Sequence, residues 1–182
     1  MKMSVIAAGL GLAGALFGVP VMAQTASDPA VLNAPGIQFW NVYGAGQTSK
    51  AHKDKDVQGG MALKITIPKA TENAWDIGAS VPITGAYKKG DQIVVVIYAR
   101  LVSDDPLARL EIPATVQIAS PPYTGIIPGK LLVSPVWQPL TLIGTADADY
   151  AGGQTNVALS LGGPAKTLDF GPVFILNQGQ KP

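Results

Sequence analysis

Gln92–Val102 reads QIVVVIYARLV. Apolar residues occupy both parities of this run, so a strand made from it has no face suited to water and belongs at the centre of a sheet. Upstream, Met61–Pro68 (MALKITIP) alternates: Leu63, Ile65 and Ile67 point one way, Lys64 and Thr66 the other. That is the period-two pattern of a half-buried strand. Further segments of strand length are Ile37–Tyr43, Trp75–Ile83, Glu111–Ser120, Trp137–Ala146, Asn156–Leu161 and Leu168–Asn177. Turn-forming residues separate them: Gly59-Gly60, Lys88-Lys89-Gly90-Asp91, Pro121-Pro122, Gly125, Gly129, Gly152-Gly153 and Gly162-Gly163-Pro164. Pro68, Pro82, Pro113 and Pro139 are expected at strand ends or sheet edges, where a missing N–H is tolerated.

No window beyond the N-terminal run carries a long 3.6-residue apolar stripe. The composition agrees, with 14% charged residues, 21 Gly and 15 Pro. Many short strands and many turns predict an all-β sandwich of two antiparallel sheets.

The N-terminus has a different character. Met1-Lys2 precedes an uncharged apolar run, Ser4–Val19, and Val21-Met22-Ala23 places small residues at a cleavage site. This is the layout of a signal peptide over residues 1–23, cleaved before Gln24. The run is short for a membrane span and lacks a basic stop signal, so no span is expected after cleavage. Residues 24–35 (QTASDPAVLNAP) read as a flexible lead-in, and 36–182 as one domain. The expected location is periplasmic or secreted. The chain has no cysteine, so neither a lipid anchor nor disulfides are expected and the domain must rest on its own core.

Several chemistries are excluded. Thirteen basic residues face twelve acidic ones, and the most basic stretch, Lys50–Lys55 (KAHKDK), reads as a solvated loop beside Asp54 and Asp56. Nucleic acid demands more positive charge than that. One histidine, His52, and no cysteine cannot build a usual zinc site, and no G-x-S-x-G context accompanies His52 for nucleophilic catalysis. Phosphate-loop motifs are absent. Glycoside hydrolysis needs paired carboxylates. The candidates Asp76, Asp104, Asp105, Glu111, Asp147, Asp149 and Asp169 sit mostly beside turn formers, where Asp caps turns. No catalytic residue, metal or cofactor is expected.

The polar strand faces remain. Tyr98 and Arg100 share a face with Val94 and Val96. Thr115 and Gln117 oppose Val116 and Ile118. Asn156, Ala158 and Ser160 oppose Val157 and Leu159. Small and amide side chains suit the floor of a shallow cleft, with Arg100 and Tyr98 reaching into it. Planar amides and guanidinium groups bond vicinal sugar hydroxyls in pairs. Aromatic rings cover the apolar C–H faces. Trp75, Tyr98 and Tyr123 are the rings available, and Trp137 is expected in core or edge packing.

The order of segments resembles the carbohydrate-binding modules of the family 4/9/22 type, which are galactose-binding-like jelly rolls. The carriers are Gly59-Gly60-Met61-Ala62-Leu63-Lys64-Ile65, Trp75, Lys89-Gly90-Asp91 leading into Ile93–Arg100, Trp137-Gln138-Pro139-Leu140, and the closing strand Leu168–Leu176. The resemblance implies a jelly-roll sandwich that binds β-glucan or xylan in a cleft on the concave sheet. Trp75, Arg100 and Gln117 are its ligand candidates, with Tyr98 and Tyr123 beside them. It also brings in a structural calcium, against which the sequence argues. Asp169-Phe170-Gly171-Pro172-Val173 places Gly-Pro where the family has acids. The expected function is non-catalytic binding of a polysaccharide or oligosaccharide. The alternative is a structural or protein-interaction module of the bacterial envelope, with Ile126-Ile127 and Leu131-Leu132-Val133 supplying an apolar interface.

Overall fold

The computed structural model describes residues 29–180. The signal-peptide reading falls outside them. Eleven strands form two antiparallel sheets, packed face to face as a jelly-roll sandwich. The strands are β1 (Ala30–Val31), β2 (Asn41–Tyr43), β3 (Thr48–Lys53), β4 (Met61–Ile67), β5 (Gly78–Ile83), β6 (Asp91–Leu101), β7 (Leu110–Ile118), β8 (Gly125–Val133), β9 (Gln138–Thr145), β10 (Thr155–Ser160) and β11 (Lys166–Gln180). The six-stranded sheet runs β3-β4-β11-β6-β9, with β1 beside β11; the five-stranded sheet runs β2-β5-β10-β7-β8.

The run that decided the fold lies where its pattern required. β6 is an inner strand, paired with β11 on one side and β9 on the other. Its Ile93, Val95, Ile97 and Ala99 are buried in the core, where Ile112, Ala114 and Val116 of β7 also lie. One continuous apolar cluster fills the space between the sheets. Phe170 and Trp40 pack within it, tilted 49° to one another with ring centroids 5.0 Å apart.

The structure departs from the sequence reading at several strands. Ile37–Tyr43 is split into a 3-10 turn, Ile37–Phe39, and β2; Trp75–Ile83 is split into a 3-10 turn, Ala74–Asp76, and β5. The lysine-rich stretch is not a loop: Thr48–Lys53 is edge strand β3, laddered to β4. Gly125–Val133 is a full strand, β8, despite its glycines and proline. The lead-in is anchored as well: β1 pairs with β11, Leu32 is buried, and the Asn33 side chain bridges β11 by donating to Val173 O and accepting from Ile175 N (2.8 and 2.9 Å). Those bonds satisfy backbone next to a bulge in β11, where the register with β6 slips between Phe170 and Val173.

Pro82 and Pro113 stand in inner strands rather than at edges. Each lies where one neighbour has ended. β2 reaches only to Ser80 on β5, and the β7–β10 ladder stops at Ala114. No ladder bond is therefore lost on that side.

Candidate functional site

The outward side chains of the five-stranded sheet form a small polar floor. Registry places Asn156 between Pro82 and Gln117, and Ala158 between Ser80 and Thr115. Ser160 lies opposite Gly78, which pairs in turn with Tyr43. Small residues here follow from close approach. A Cβ at Gly78 would lie 2.4 Å from the Tyr43 ring, so the tyrosine lies over the glycine. Asn41 and Ser80 continue the floor. Charge on these strands' outward side is confined to Glu111 and Lys130, which pair with each other at 2.7 Å.

One atom on this floor is unsatisfied. Asn156 Oδ1 is buried and has no hydrogen-bond partner. An unpaired buried acceptor costs about 1–3 kcal/mol; Gln47 Oε1, just before β3, is in the same state. Its cross-strand neighbour Gln117 carries a second amide.

Aromatic rings stand at both sides. Tyr43 is half exposed on β2, and Tyr123 is exposed in the β7–β8 connection. Burial, and then the nearby Tyr123 phenol, raise the Tyr43 hydroxyl above the ordinary phenol range. Tyr123 is held at φ 57°, in the left-handed region, with its N–H bonded to Ser120 O at 2.8 Å. That conformation costs a non-glycine residue about 1–2 kcal/mol. Next to this loop, a hollow of about 400 Å³ is lined by Ile118, Ala119, Ser120, Asp149, Tyr150, Gly153 and Gln154. Trp75 precedes β5 on its 3-10 turn and is 71% exposed. It is not a core tryptophan.

The structure does not gather the five sequence candidates into one groove. Gln117, Tyr123 and Trp75 belong to the five-stranded sheet and its connections. Tyr98 and Arg100 lie on β6, and their side chains face outward from the six-stranded sheet on the opposite side of the sandwich. The parity reading of outward faces holds, but parity does not say which sheet a strand joins. Tyr98 packs edge-on against Phe174 at 6.4 Å. Arg100 is consumed by ion pairs. Its Nε and Nη2 donate to Asp169 Oδ2 at 2.9 and 2.7 Å, and Nη2 lies 2.8 Å from Asp54 Oδ2. Its guanidinium covers the Trp137 ring at 4.9 Å. The sequence reading missed Tyr43, whose only partner signal, Gly78, lies on another strand, and it named Asn156 for the cleft floor without making it a ligand candidate.

Asp169 is fully buried, and its other oxygen faces His52 Nε2 at 3.0 Å. The calcium that the family resemblance brings in meets a poor donor set here. Asp169 is already bonded through both oxygens, and Gly171-Pro172 add no carboxylate. The other acids singled out from the sequence are mostly tied up. Asp76 closes a capping box with Asn73, Asp105 accepts from Leu107 N, Asp147 from the Tyr150 hydroxyl, and Asp149 from Lys88 and Lys89. Burial opposes ionisation of Asp54, yet bonds from Asp56 N–H and Trp137, with the charges of Arg100 and His52, lower its pKa below the usual carboxylate value.

At the level of sequence, no family model and no curated protein matches the chain. Solved structures do. A CBM4 structure superposes with a TM-score of 0.59 at 19% identity, covering 77% of this chain and 95% of that one. The chain has the fold of these modules. The CBM22-1 xylan-binding domain of Paenibacillus barcinonensis Xyn10C gives 0.56 at 17% identity over 84% and 94% of the two chains. The N-terminal cellulose-binding domain of Cellulomonas fimi β-1,4-glucanase C gives 0.54 at 20% identity over 78% and 90%. Among the described residues, no helix is long and apolar enough to cross a membrane.

Proposed function

We propose that this chain is an exported, non-catalytic carbohydrate-binding module. It takes an uncharged β-glycan of the xylan or β-glucan class on the outer face of its five-stranded sheet. The observation that carries this reading is the pair of neighbouring amides, Asn156 and Gln117, set on an uncharged floor of small residues that includes Ser80, Ala158 and Ser160. The Asn156 and Gln117 amides, neighbours across the β10–β7 ladder, bond the sugar hydroxyls. Tyr43 and Tyr123 cover the C–H faces, and Trp75 stands at the end of the floor where β5 begins. The scarcity of charge favours a neutral glycan over a uronate, which would call for a cation. The xylan-binding and cellulose-binding names of two structural neighbours support the same ligand class.

The test is calorimetric titration of residues 24–182 with xylo- and cello-oligosaccharides. Saturable binding that falls at least tenfold in Gln117→Ala and Asn156→Ala, with the melting temperature kept, supports the reading. Binding unaffected by either substitution would overturn it. The envelope-interaction alternative loses the apolar stretch read from the sequence, because Ile127, Leu131 and Val133 face the core and Ile126 packs against it, leaving Leu132 exposed; it rests on a different observation. Val102 and Leu107 in the β6–β7 connection, and Val136 before β9, are exposed apolar residues of the kind that mark partner sites. Pull-down of an envelope protein, lost on Leu107→Ser, would favour it.

A further inference from the structure

His52, Asp54 and Asp169 bring one imidazole nitrogen and two carboxylate oxygens within 4.8 Å of one another. They lie on the outer side of the six-stranded sheet, away from the glycan floor. A nitrogen with two carboxylates is a donor set for zinc and its first-row neighbours, and a poor one for calcium, which takes oxygen ligands. Arg100 stands among these groups. Its Nη2 lies 2.7 Å from Asp169 Oδ2 and 2.8 Å from Asp54 Oδ2. Trp137 backs the guanidinium and donates from Nε1 to the same Asp54 oxygen at 3.2 Å. One guanidinium thus satisfies two carboxylates, one of them fully buried and the other nearly so.

We propose that Arg100 is the resident cation of a metal-shaped site. It ties the start of the β3–β4 loop, through Asp54, to β11 through Asp169 and to the start of β9 through Trp137, which is work that other proteins give to a bound ion. The protein therefore needs no divalent metal for this linkage. Withdrawal of the guanidinium leaves His52, Asp54 and Asp169 as ligands for a zinc-class ion.

Thermal melts of residues 24–182 in EDTA, calcium and zinc test this. The wild type should melt at one temperature in all three. Arg100→Ala should melt lower in EDTA, recover several degrees in zinc but not in calcium, and lose that recovery when His52→Gln is added. With cobalt(II) in place of zinc, Arg100→Ala should show a ligand-field absorption band that the wild type lacks. Should Arg100→Ala not fold, Arg100→Gln keeps a neutral donor to Asp169 and carries the same zinc and cobalt tests. A wild type that loses stability in EDTA or gains it in zinc would overturn the proposal, as would a folded Arg100 variant indifferent to zinc.

Discussion

Arg100→Ala should damage the fold and spare the glycan site. The guanidinium makes two hydrogen bonds to Asp169, an ion pair to Asp54 and a stacking contact with Trp137. Removing one partner of a buried pair costs about 3–5 kcal/mol, because the other charge is stranded. Two features soften that cost here. The Arg100 side chain is 28% exposed, so solvent screens part of the interaction, and His52 still faces Asp169 at 3.0 Å. About 2–3 kcal/mol remains, or roughly 5–10 °C of melting temperature for a domain of this size. The assay is thermal unfolding followed by circular dichroism, with glycan titration of the same protein below its transition. A variant that melts within about 2 °C of wild type yet binds no glycan would refute the reasoning. It would return Arg100 to the ligand site that the sequence suggested.

Three further outcomes are expected. Gly78→Ala places a methyl group 2.4 Å from the Tyr43 ring. Because that ring is half exposed and free to swing away, glycan affinity should fall several-fold while the melting temperature changes by less than about 2 °C, as calorimetry and a melt would show. Tyr123→Asn relieves a left-handed tyrosine, since asparagine tolerates that region, and removes the ring. Stability should hold or rise by up to about 1 kcal/mol while affinity drops, and unchanged affinity would remove Tyr123 from the site. Tyr150 is raised to about 12, first by burial and then by its bond and proximity to Asp147. A phenol raised on folding stabilises fully below its unfolded value near 10, and that contribution is lost as pH climbs toward 12. Ultraviolet titration should show a late-ionising component, to which Tyr43 and Tyr87 also contribute, that moves down in Asp147→Asn; no movement would contradict the assigned cause.

Strand existence was legible where pattern and burial coincide. β4 alternates because one of its faces is core, and β6 is apolar throughout because its outward Val94 and Val96 are also largely covered. β3 was not legible. It is a polar edge strand with most of its side chains in solvent, and pairing with β4 rather than its own composition holds it extended. β8 hid behind Gly125, Pro128 and Gly129. Gly129 points inward to Leu142, where a Cβ would lie 2.4 Å away, so this glycine is a packing requirement and not a turn. The candidate site was half legible for a related reason. Periodicity separates inward from outward residues on one strand, and it placed Gln117 and Arg100 outward correctly. Which sheet each strand joins depends on long-range pairing, and that put the two on opposite sides of the molecule.

The measurement closest to the central claim is a calorimetric comparison of neutral xylo- and cello-oligosaccharides with oligogalacturonate, on the wild type, Asn156→Ala and Tyr98→Ala. The account predicts saturable binding of a neutral glycan, little or none of the uronate, loss in Asn156→Ala and retention in Tyr98→Ala. Binding that survives Asn156→Ala and disappears in Tyr98→Ala would put the ligand on the six-stranded sheet and contradict it.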